Sequence, residues 1–258
     1  RRNLPRVSFL VVSVIAACAL VFLRCSGVVC HTLGRQLVPL ATWNRASKHK
    51  LASGDARCFE EWAIVRPEDA LLCEVGSRLS SDLPRVLKRK ELFEAYAVAN
   101  LVRELDSGPA GMPGQLPADV VELAAGCGLL GIFLALQDSR RRVWCMDISR
   151  SLVAERLLRC LSSHWPDLAD RVHWEQGDLR GAGKQMAPLP EDCLVVSCHA
   201  CGMLTDEAIA TATSRNARRP LVVLPCCYQR KPRISKRVGQ SWDLYPWLEQ
   251  GAVNLNGP

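Results

Sequence analysis

Three glycines follow an apolar segment that contains a single acid. The stretch VVELAAGCGLLG covers residues 120–131 and places Gly126, Gly128 and Gly131 in the spacing G-x-G-x-x-G, behind Glu122. Between a strand and a helix, such glycines let the backbone approach a nucleotide-bearing ligand and let the helix pack closely. A dinucleotide would bring its pyrophosphate to this helix N-terminus, where a nearby carboxylate repels it. Glu122 therefore favours a ligand with positive charge.

Two further acids stand at the ends of later apolar segments. Asp147 ends VWCMD, 21 residues after Gly126, where a carboxylate accepts hydrogen bonds from ribose hydroxyls. Asp178 lies in EQGDLRG, at the end of the next apolar segment. Each acid alone is also explained as a helix cap or a solvated turn, but three at successive segment ends indicate a nucleoside site. S-adenosyl-L-methionine (SAM) carries an adenosine, an ammonium and a sulfonium without phosphate, and it is the cofactor that we predict.

Alternating apolar segments predict the fold that positions these residues. The candidate strands are DVVELA, RRVWCMD, RVHWEQGD, CLVVSCH and PLVVLPC, with helical patterns between most of them. This order predicts an α/β fold with a Rossmann-like, doubly wound, mostly parallel sheet and helices on both faces. A helical period of apolar residues precedes it in 85–105. The segment after the fifth strand is short, so the sheet could lack its last strands.

The sequence VELAAGCGLLG resembles motif I of the class I, SAM-dependent methyltransferases. The resemblance implies that Glu122, Gly126 and Gly128 hold the methionine end of the cofactor, with Gly131 in the same cofactor-binding turn. It implies further that Asp147 binds the ribose and that Asp178 lies near the adenine amino group.

The ends of the fourth and fifth strands carry polar residues and thiols. The first reads SCHACGMLTD and the second PCCYQRKPR. Together they resemble the methyltransferase branch with H-x-C-G-x-x-T-D and C-C-[HY] motifs. That branch includes the tRNA ribose 2′-O-methyltransferase domain and the methyltransferase domain of the glutathione S-transferase C-terminal domain-containing protein. Tyr228 stands where the tRNA enzyme has histidine, and the Asn/Asp-Pro-Pro motif of many amino methyltransferases is missing.

His199 is the candidate catalytic residue, because it stands at the end of the fourth strand, where this fold presents the methyl group. It could act as a general base for a ribose hydroxyl, orient the acceptor, or simply be held by backbone in a tight turn. We expect the neighbouring side chains to line the substrate pocket: Cys198, Cys201, Cys226, Cys227 and Tyr228. Zinc binding by the four cysteines together with His199, and a cysteine nucleophile, are the weaker alternatives, and no metal is predicted.

Basic charge is concentrated outside the predicted catalytic core. Residues 91–217 carry 11 basic and 17 acidic side chains, whereas residues 218–237 carry 7 basic and no acidic ones. Arg230, Lys231 and Arg233 lie in this second stretch, just after the fifth strand, and suit contacts to an RNA backbone. A solvated basic loop is the other explanation. RNA, as tRNA or rRNA methylated on a ribose oxygen or a base nitrogen, is the substrate that we predict.

The N-terminus carries a different pattern. Residues 7–23 contain no charge and follow a basic start, which indicates a membrane anchor or an organelle-targeting leader. The chain has 13 cysteines, two of them adjacent, so we expect a reducing compartment rather than a disulfide framework. We divide the chain into residues 1–30 as leader or anchor, 31–84 as an extension of unknown role, and 85–258 as the methyltransferase domain. Within 58–79 we expect a short helix and a strand.

Two other functions remain open. The same core could methylate a protein or a small molecule. It could also be a catalytically idle module that binds SAM or RNA, which the missing Asn/Asp-Pro-Pro motif and the short C-terminus favour.

Overall fold

The computed structural model of the protein describes residues 49–107, 116–179, 189–200, 203–213 and 219–224. Within these residues the chain forms one parallel sheet with the spatial order β3-β2-β1-β4-β5. Its strands are β1 (Asp119–Leu123), β2 (Arg142–Asp147), β3 (Val172–Gln176), β4 (Leu194–Cys198) and β5 (Leu221–Leu224). The predicted doubly wound α/β fold is confirmed. The order reverses beside β1, so the ligand site of this fold lies at the carboxyl ends of β1 and β4.

Helices cover both faces of the sheet. They are α1 (Asp55–Val65), α2 (Ala70–Asp82), α3 (Arg89–Ser107), α4 (Leu129–Gln137), α5 (Leu152–Ser162), α6 (Leu168–Arg171) and α7 (Met203–Ala212), with a 3-10 turn at Pro67–Asp69. Strand β1 shows why two layers are needed. Val120 packs into the larger apolar cluster together with α3 and α4, and Val121 packs into a second cluster with Ala208 and Ala212 of α7. Alternate side chains of a strand point to opposite faces, so Glu122 shares the face of Val120.

Helix α3 confirms the apolar period expected before the glycine turn. Leu92, Tyr96, Ala99 and Val102 are all buried against the core. The edge of the Tyr96 ring packs on Phe133 of α4 at a centroid distance of 5.4 Å. This contact fixes α3 against α4 and brings the first turns of α3 toward the glycine turn.

The segment 58–79 forms two helices, and the expected strand is wrong. Pro67 opens the 3-10 turn that separates α1 from α2. The helices pack closely because Gly76 leaves room for the ring of Phe59, which would lie 2.4 Å from any Cβ at that position. Both helices contribute to the same apolar cluster as the sheet, although they precede the predicted division at residue 84. The three-part division of the chain stays a prediction.

A buried ion pair joins the helix pair to α3. Both oxygens of Asp55 face the guanidinium of Arg89, at 2.6 and 2.9 Å. Asp55 is 5% exposed. The two-point geometry fixes the first turn of α3 relative to α1, and the next turn of the helix carries Glu94, one of the residues that form the candidate site.

Candidate cofactor site and acceptor site

The turn after β1 has the backbone that the glycine spacing predicts. Gly126 and Gly128 adopt left-handed conformations, with φ of 59° and 71°. Ala124 adopts one as well, with φ of 54°, although it carries a Cβ. The N–H of Gly128 donates to the carbonyl of Ala125 at 2.8 Å, which closes the turn. The helix α4 then begins at Leu129, so its free N–H groups face the turn.

The three glycines of the motif have different surroundings. Among the residues that the structure describes, and apart from the chain neighbours of Gly126, no atom lies within 4 Å of the position that its Cβ would occupy. A Cβ at Gly128 would lie 2.5 Å from the Trp174 ring, and one at Gly131 would lie 2.8 Å from an oxygen of Glu122. Gly126 therefore presents backbone to open space, where a ligand can approach. Gly128 and Gly131 instead let the turn and α4 approach the sheet.

Asp147 reaches the glycine turn from the end of β2. Its Oδ2 accepts a hydrogen bond from the N–H of Gly126 at 2.7 Å. Its own carbonyl accepts the N–H of Gly177 at 2.8 Å, which ties the start of the next turn to it. The carboxylate therefore lies on the N–H side of Gly126, at the carboxyl end of β2; its ribose role stays a prediction.

Glu122 is turned into the protein. The residue is 2% exposed, and its Oε2 accepts the N–H of Gly131, in the first turn of α4, at 2.9 Å. Burial raises the pKa of Glu122 to about 7, although the hydrogen bond from Gly131 and the thiol of Cys145 act in the opposite direction. Any effect of this acid on a cofactor therefore acts through the turn that it supports and through its charge.

The turn has an acidic environment. Burial raises the pKa of the Cys127 thiol to about 12, and the charges of Glu122 and of Glu91 on α3 add to this effect. Asp147 likewise raises the pKa of Glu122. A cluster of like charges favours a cationic ligand and disfavours a pyrophosphate.

Asp178 follows β3 by two residues. The residue is half-buried and lies one position before the 3-10 residue Leu179. Its place beyond the carboxyl end of β3 is the one that the sequence predicts. Because β3 neighbours β2, Asp178 and Asp147 end adjacent strands of the sheet.

The end of β4 carries His199 in a constrained conformation. Its φ is 70°, and its N–H donates to the carbonyl of Leu224 in β5 at 3.2 Å. Two residues earlier in the chain, Ser197 is fully buried, and its hydroxyl donates to the carbonyl of Leu123 at 2.8 Å. These two bonds fix the end of β4 to both neighbouring strands. Side chains rarely occupy positive φ without such support, and such residues are frequent at functional sites.

Glu94 of α3 faces His199, and the sequence analysis did not single it out. Its Oε2 lies 3.1 Å from Nε2 of His199. Both atoms are buried, and the contact does not have the geometry of a hydrogen bond. Neither atom makes a hydrogen bond to another described residue. Burial raises the pKa of Glu94, but His199 and then Lys90 outweigh it, so that this pKa lies below its ordinary value. Glu94 and His199 are 105 positions apart, so no spacing in the sequence relates them.

The thiols and basic residues of the predicted substrate pocket are only partly described. Cys198 is buried at the end of β4. The remaining predicted residues lie outside the described ranges, namely Cys201, Cys226, Cys227, Tyr228, Arg230, Lys231 and Arg233. Among the described residues, no group of three or more His, Cys, Asp or Glu side chains is placed to bind a metal ion.

Helix α7 is bonded to the residue that follows His199. The helix begins at Met203. The hydroxyl of Thr205, in its first turn, donates to the carbonyl of Ala200. This bond holds Ala200 against α7.

The helices that the structure describes include none long and apolar enough to cross a membrane. Residues 7–23, which carry the predicted anchor or leader, lie outside the described ranges. Membrane association therefore stays a prediction.

The sheet order, the glycine turn and Asp147 at the end of β2 define a nucleoside-binding protein of the doubly wound class. A family described as a methyltransferase domain matches residues 89–231, which is more than half of the chain. The chain belongs to this methyltransferase family. The class I, SAM-dependent methyltransferase predicted from the sequence is thereby confirmed as the class of this protein.

Solved methyltransferase structures resemble the chain in part. The CurJ carbon methyltransferase is 12% identical, with a TM-score of 0.36, over 67% of this chain and 52% of that one. The glycopeptide N-methyltransferase MtfA, complexed with SAM, is 24% identical over 39% of each chain, with a TM-score of 0.28. An O-methyltransferase family 2 protein from Planctomyces limnophilus, in complex with apigenin, is 19% identical, with a TM-score of 0.31, over 58% of this chain and 46% of that one. The chain spans about half the length of these structures or less. No curated protein sequence matches it.

Proposed function

We propose that this chain methylates RNA with SAM as the methyl donor, and that the acceptor atom lies beside His199. The observation that carries the cofactor site is the hydrogen bond from the Gly126 amide to Asp147, which joins the acidic turn to the end of β2. Gly126 and Gly128 would hold the methionine end. Glu122 and the close packing at Gly131 would support this turn from the protein interior. Asp147 would bind the ribose and Asp178 the adenine.

The described residues fit this cofactor. The position beside Gly126 is open, whereas the far side of the turn is filled by Trp174. The charges of Glu122 and Glu91 act on the Cys127 thiol, and the charge of Asp147 acts on Glu122. An acidic turn stabilises an ammonium and a sulfonium and repels phosphates.

SAM supplies an electrophilic methyl group on a cationic sulfur, and the leaving group is a neutral thioether. The chain's own part is to hold the acceptor in line and to remove its proton. Orientation of this kind can supply a large part of the rate acceleration of a two-substrate reaction. His199 is the residue that would take the proton of a ribose hydroxyl or a base nitrogen.

The basic stretch supports RNA as the acceptor. Residues 230–237 contain five basic side chains and no acid. His199 is bonded to Leu224, the last residue of β5, and Arg230 follows Leu224 by six positions. Lysine and arginine contacts to phosphates position RNA without reading its sequence.

A charge reversal tests the acceptor. In Arg230→Glu combined with Lys231→Glu, we expect RNA binding to weaken more than tenfold and its salt dependence to decrease, with SAM affinity unchanged. The matched control is Arg156→Glu with Arg159→Glu, two exposed arginines on α5. Equal RNA binding by both double variants would contradict RNA as the acceptor and favour a protein or a small molecule.

The methylated atom is identified separately. We expect mass spectrometry of nucleosides from cells without the protein to show the loss of one methylated nucleoside from tRNA or rRNA. Restoration by the wild-type chain and not by Asp147→Ala would assign the modification to this site.

A further inference from the structure

The contact between Glu94 and His199 has the features of a catalytic pair and not of a surface ion pair. Both facing atoms are buried, and they lie 3.1 Å apart across the gap between α3 and the end of β4. The side chain of Glu94 is 14% exposed and that of His199 is 34% exposed. A buried polar atom without a hydrogen bond costs free energy. The charge of the pair and the fixed backbone on either side must therefore offset this cost.

The backbone on both sides of this contact is fixed. His199 is held at positive φ by its bond to Leu224, and the Ser197 bond to Leu123 anchors the strand before it. On the other side, Arg89 anchors the first turn of α3 to Asp55. Glu94 is also paired through its other oxygen with Lys90, at 3.2 Å. The carboxylate therefore has a defined position on a defined helix, and only one of its oxygens is directed at the imidazole.

We infer that Glu94 is the positioning residue for His199, holding Nε2 of the imidazole and leaving Nδ1 to accept the proton of the methyl acceptor. The inference rests on the proposed function, because it gives His199 its role there. An imidazole has two nitrogens, and a carboxylate on one selects the tautomer in which the other is the free base. Nε2 is buried against Glu94 while a third of the side chain is exposed, so solvent and acceptor reach other atoms of the ring.

The proton balance is simple. One proton passes from the acceptor's O–H or N–H to Nδ1, and the ring becomes an imidazolium. The ionised carboxylate of Glu94 neutralises that charge, and the proton leaves to water after the reaction. Contacts of this kind are often poorly aligned before the substrates bind and tighten in the complex. The charged groups that act on Glu94 are His199 across the gap and Lys90 on its own helix.

The pair is tested first without any acceptor. NMR of the full chain, with carbon-labelled glutamate carboxyls, follows the ionisation of Glu94, whose signal is assigned by its loss in Glu94→Gln. We expect the pKa of Glu94 to lie below its ordinary value in the wild-type chain and to rise in His199→Gln. Lys90→Gln should raise it less. An ordinary value in the wild-type chain, or no rise in His199→Gln, would overturn the pairing, whatever the acceptor is.

The positioning role is tested by the steady-state kinetics of methyl transfer. In Glu94→Gln we expect kcat to fall about tenfold with the KM for the acceptor unchanged, because the carboxylate no longer orients the imidazole. SAM affinity should not change, which separates this result from damage to the cofactor site. Glu104→Gln, on an exposed position of the same helix, is the matched control. An unchanged kcat in Glu94→Gln, or a loss that appears only in KM, would refute the role even if the pairing were present.

A failure of the proposed function would look different. If SAM did not bind, or RNA were not methylated, the titration of Glu94 would still report on the pair. If the pair were absent, SAM binding and methylation could continue with another base.

Discussion

Asp147 and Gly126 are joined across 21 positions of sequence by a hydrogen bond of 2.7 Å between the carboxylate Oδ2 and the backbone N–H. The bond ties the end of β2 to the turn after β1. It places a negative charge at the one glycine of the motif whose Cβ position is open. Cofactor affinity in this protein should therefore depend on Asp147 more than on any other single side chain of the turn.

Asp147→Asn removes the charge and keeps the shape of the side chain. We expect the Kd for SAM to rise by about 10- to 100-fold, since a charge-assisted hydrogen bond contributes about 1.5–3 kcal/mol. Isothermal titration calorimetry measures the change. Asp119→Asn is the matched control, because Asp119 stands at the opposite end of β1 and pairs with Arg142. Equal losses in the two variants would show that the effect is not local to the turn.

Gly126→Ala and Gly128→Ala should separate ligand approach from packing. Both substitutions place a side chain at positive φ, at a cost of about 1–2 kcal/mol. Gly128→Ala also brings a methyl to 2.5 Å from the Trp174 ring. We therefore expect this substitution to lower the free energy of unfolding by about a further 1–3 kcal/mol. Gly126→Ala should lose only the cost of its positive φ and should weaken SAM binding. Denaturant unfolding and SAM titration of both variants check this, and the reverse order of stabilities would contradict it.

Glu122→Gln should change how stability depends on pH. The pKa of Glu122 is raised to about 7 from 4.5 by burial. Its neutral form is therefore favoured by folding: the stability is fully present below pH 4.5 and is lost as the pH rises to 7. At 1.36 kcal/mol per unit, this loss amounts to about 3 kcal/mol.

A neutral amide does not titrate, so the variant escapes this loss. We expect the free energy of unfolding of Glu122→Gln, relative to wild type, to increase by about 3 kcal/mol between acid and mildly alkaline pH. Denaturant unfolding at a series of pH values measures the difference. Glu104→Gln, an exposed carboxylate on α3, supplies the baseline. A difference that does not vary with pH would mean that the pKa of Glu122 is the same in the folded and unfolded chain.

Ala124→Gly should stabilise the turn or leave its stability unchanged. Ala124 has a φ of 54°, where a Cβ is unfavourable. Glycine removes this strain but has more freedom in the unfolded chain, and the two effects nearly balance. We expect a gain of between zero and about 1 kcal/mol in thermal or denaturant unfolding. A clear loss of stability would mean that the methyl group makes packing contacts that outweigh the strain.

The sequence predicts the parts of this protein that depend on local patterns. Five apolar segments alternating with helical ones predict the parallel sheet, and glycine spacing predicts the turn. Asp147 could be placed because strands of a parallel sheet end at one edge. That edge also explains why His199 was recognised from its position alone.

The parts that were missed depend on tertiary contacts. The strand expected within 58–79 is wrong, because its apolar residues serve a helix pair held close by Gly76 and Phe59. Glu94 lies in an ordinary amphipathic helix, and only the packing of α3 brings it to His199. The raised pKa of Glu122 results from its complete burial. The sequence places Glu122 on a strand but does not show how deeply the side chain is buried.

The central claim is that the turn after β1 binds a cationic sulfur cofactor and not a diphosphate. Calorimetric titration of the full chain with SAM, and in parallel with NAD, tests it most directly. We expect SAM to bind with a Kd in the micromolar range and NAD to give no heat of binding at millimolar concentration. Binding of NAD, or no heat from SAM at millimolar concentration, would contradict the account.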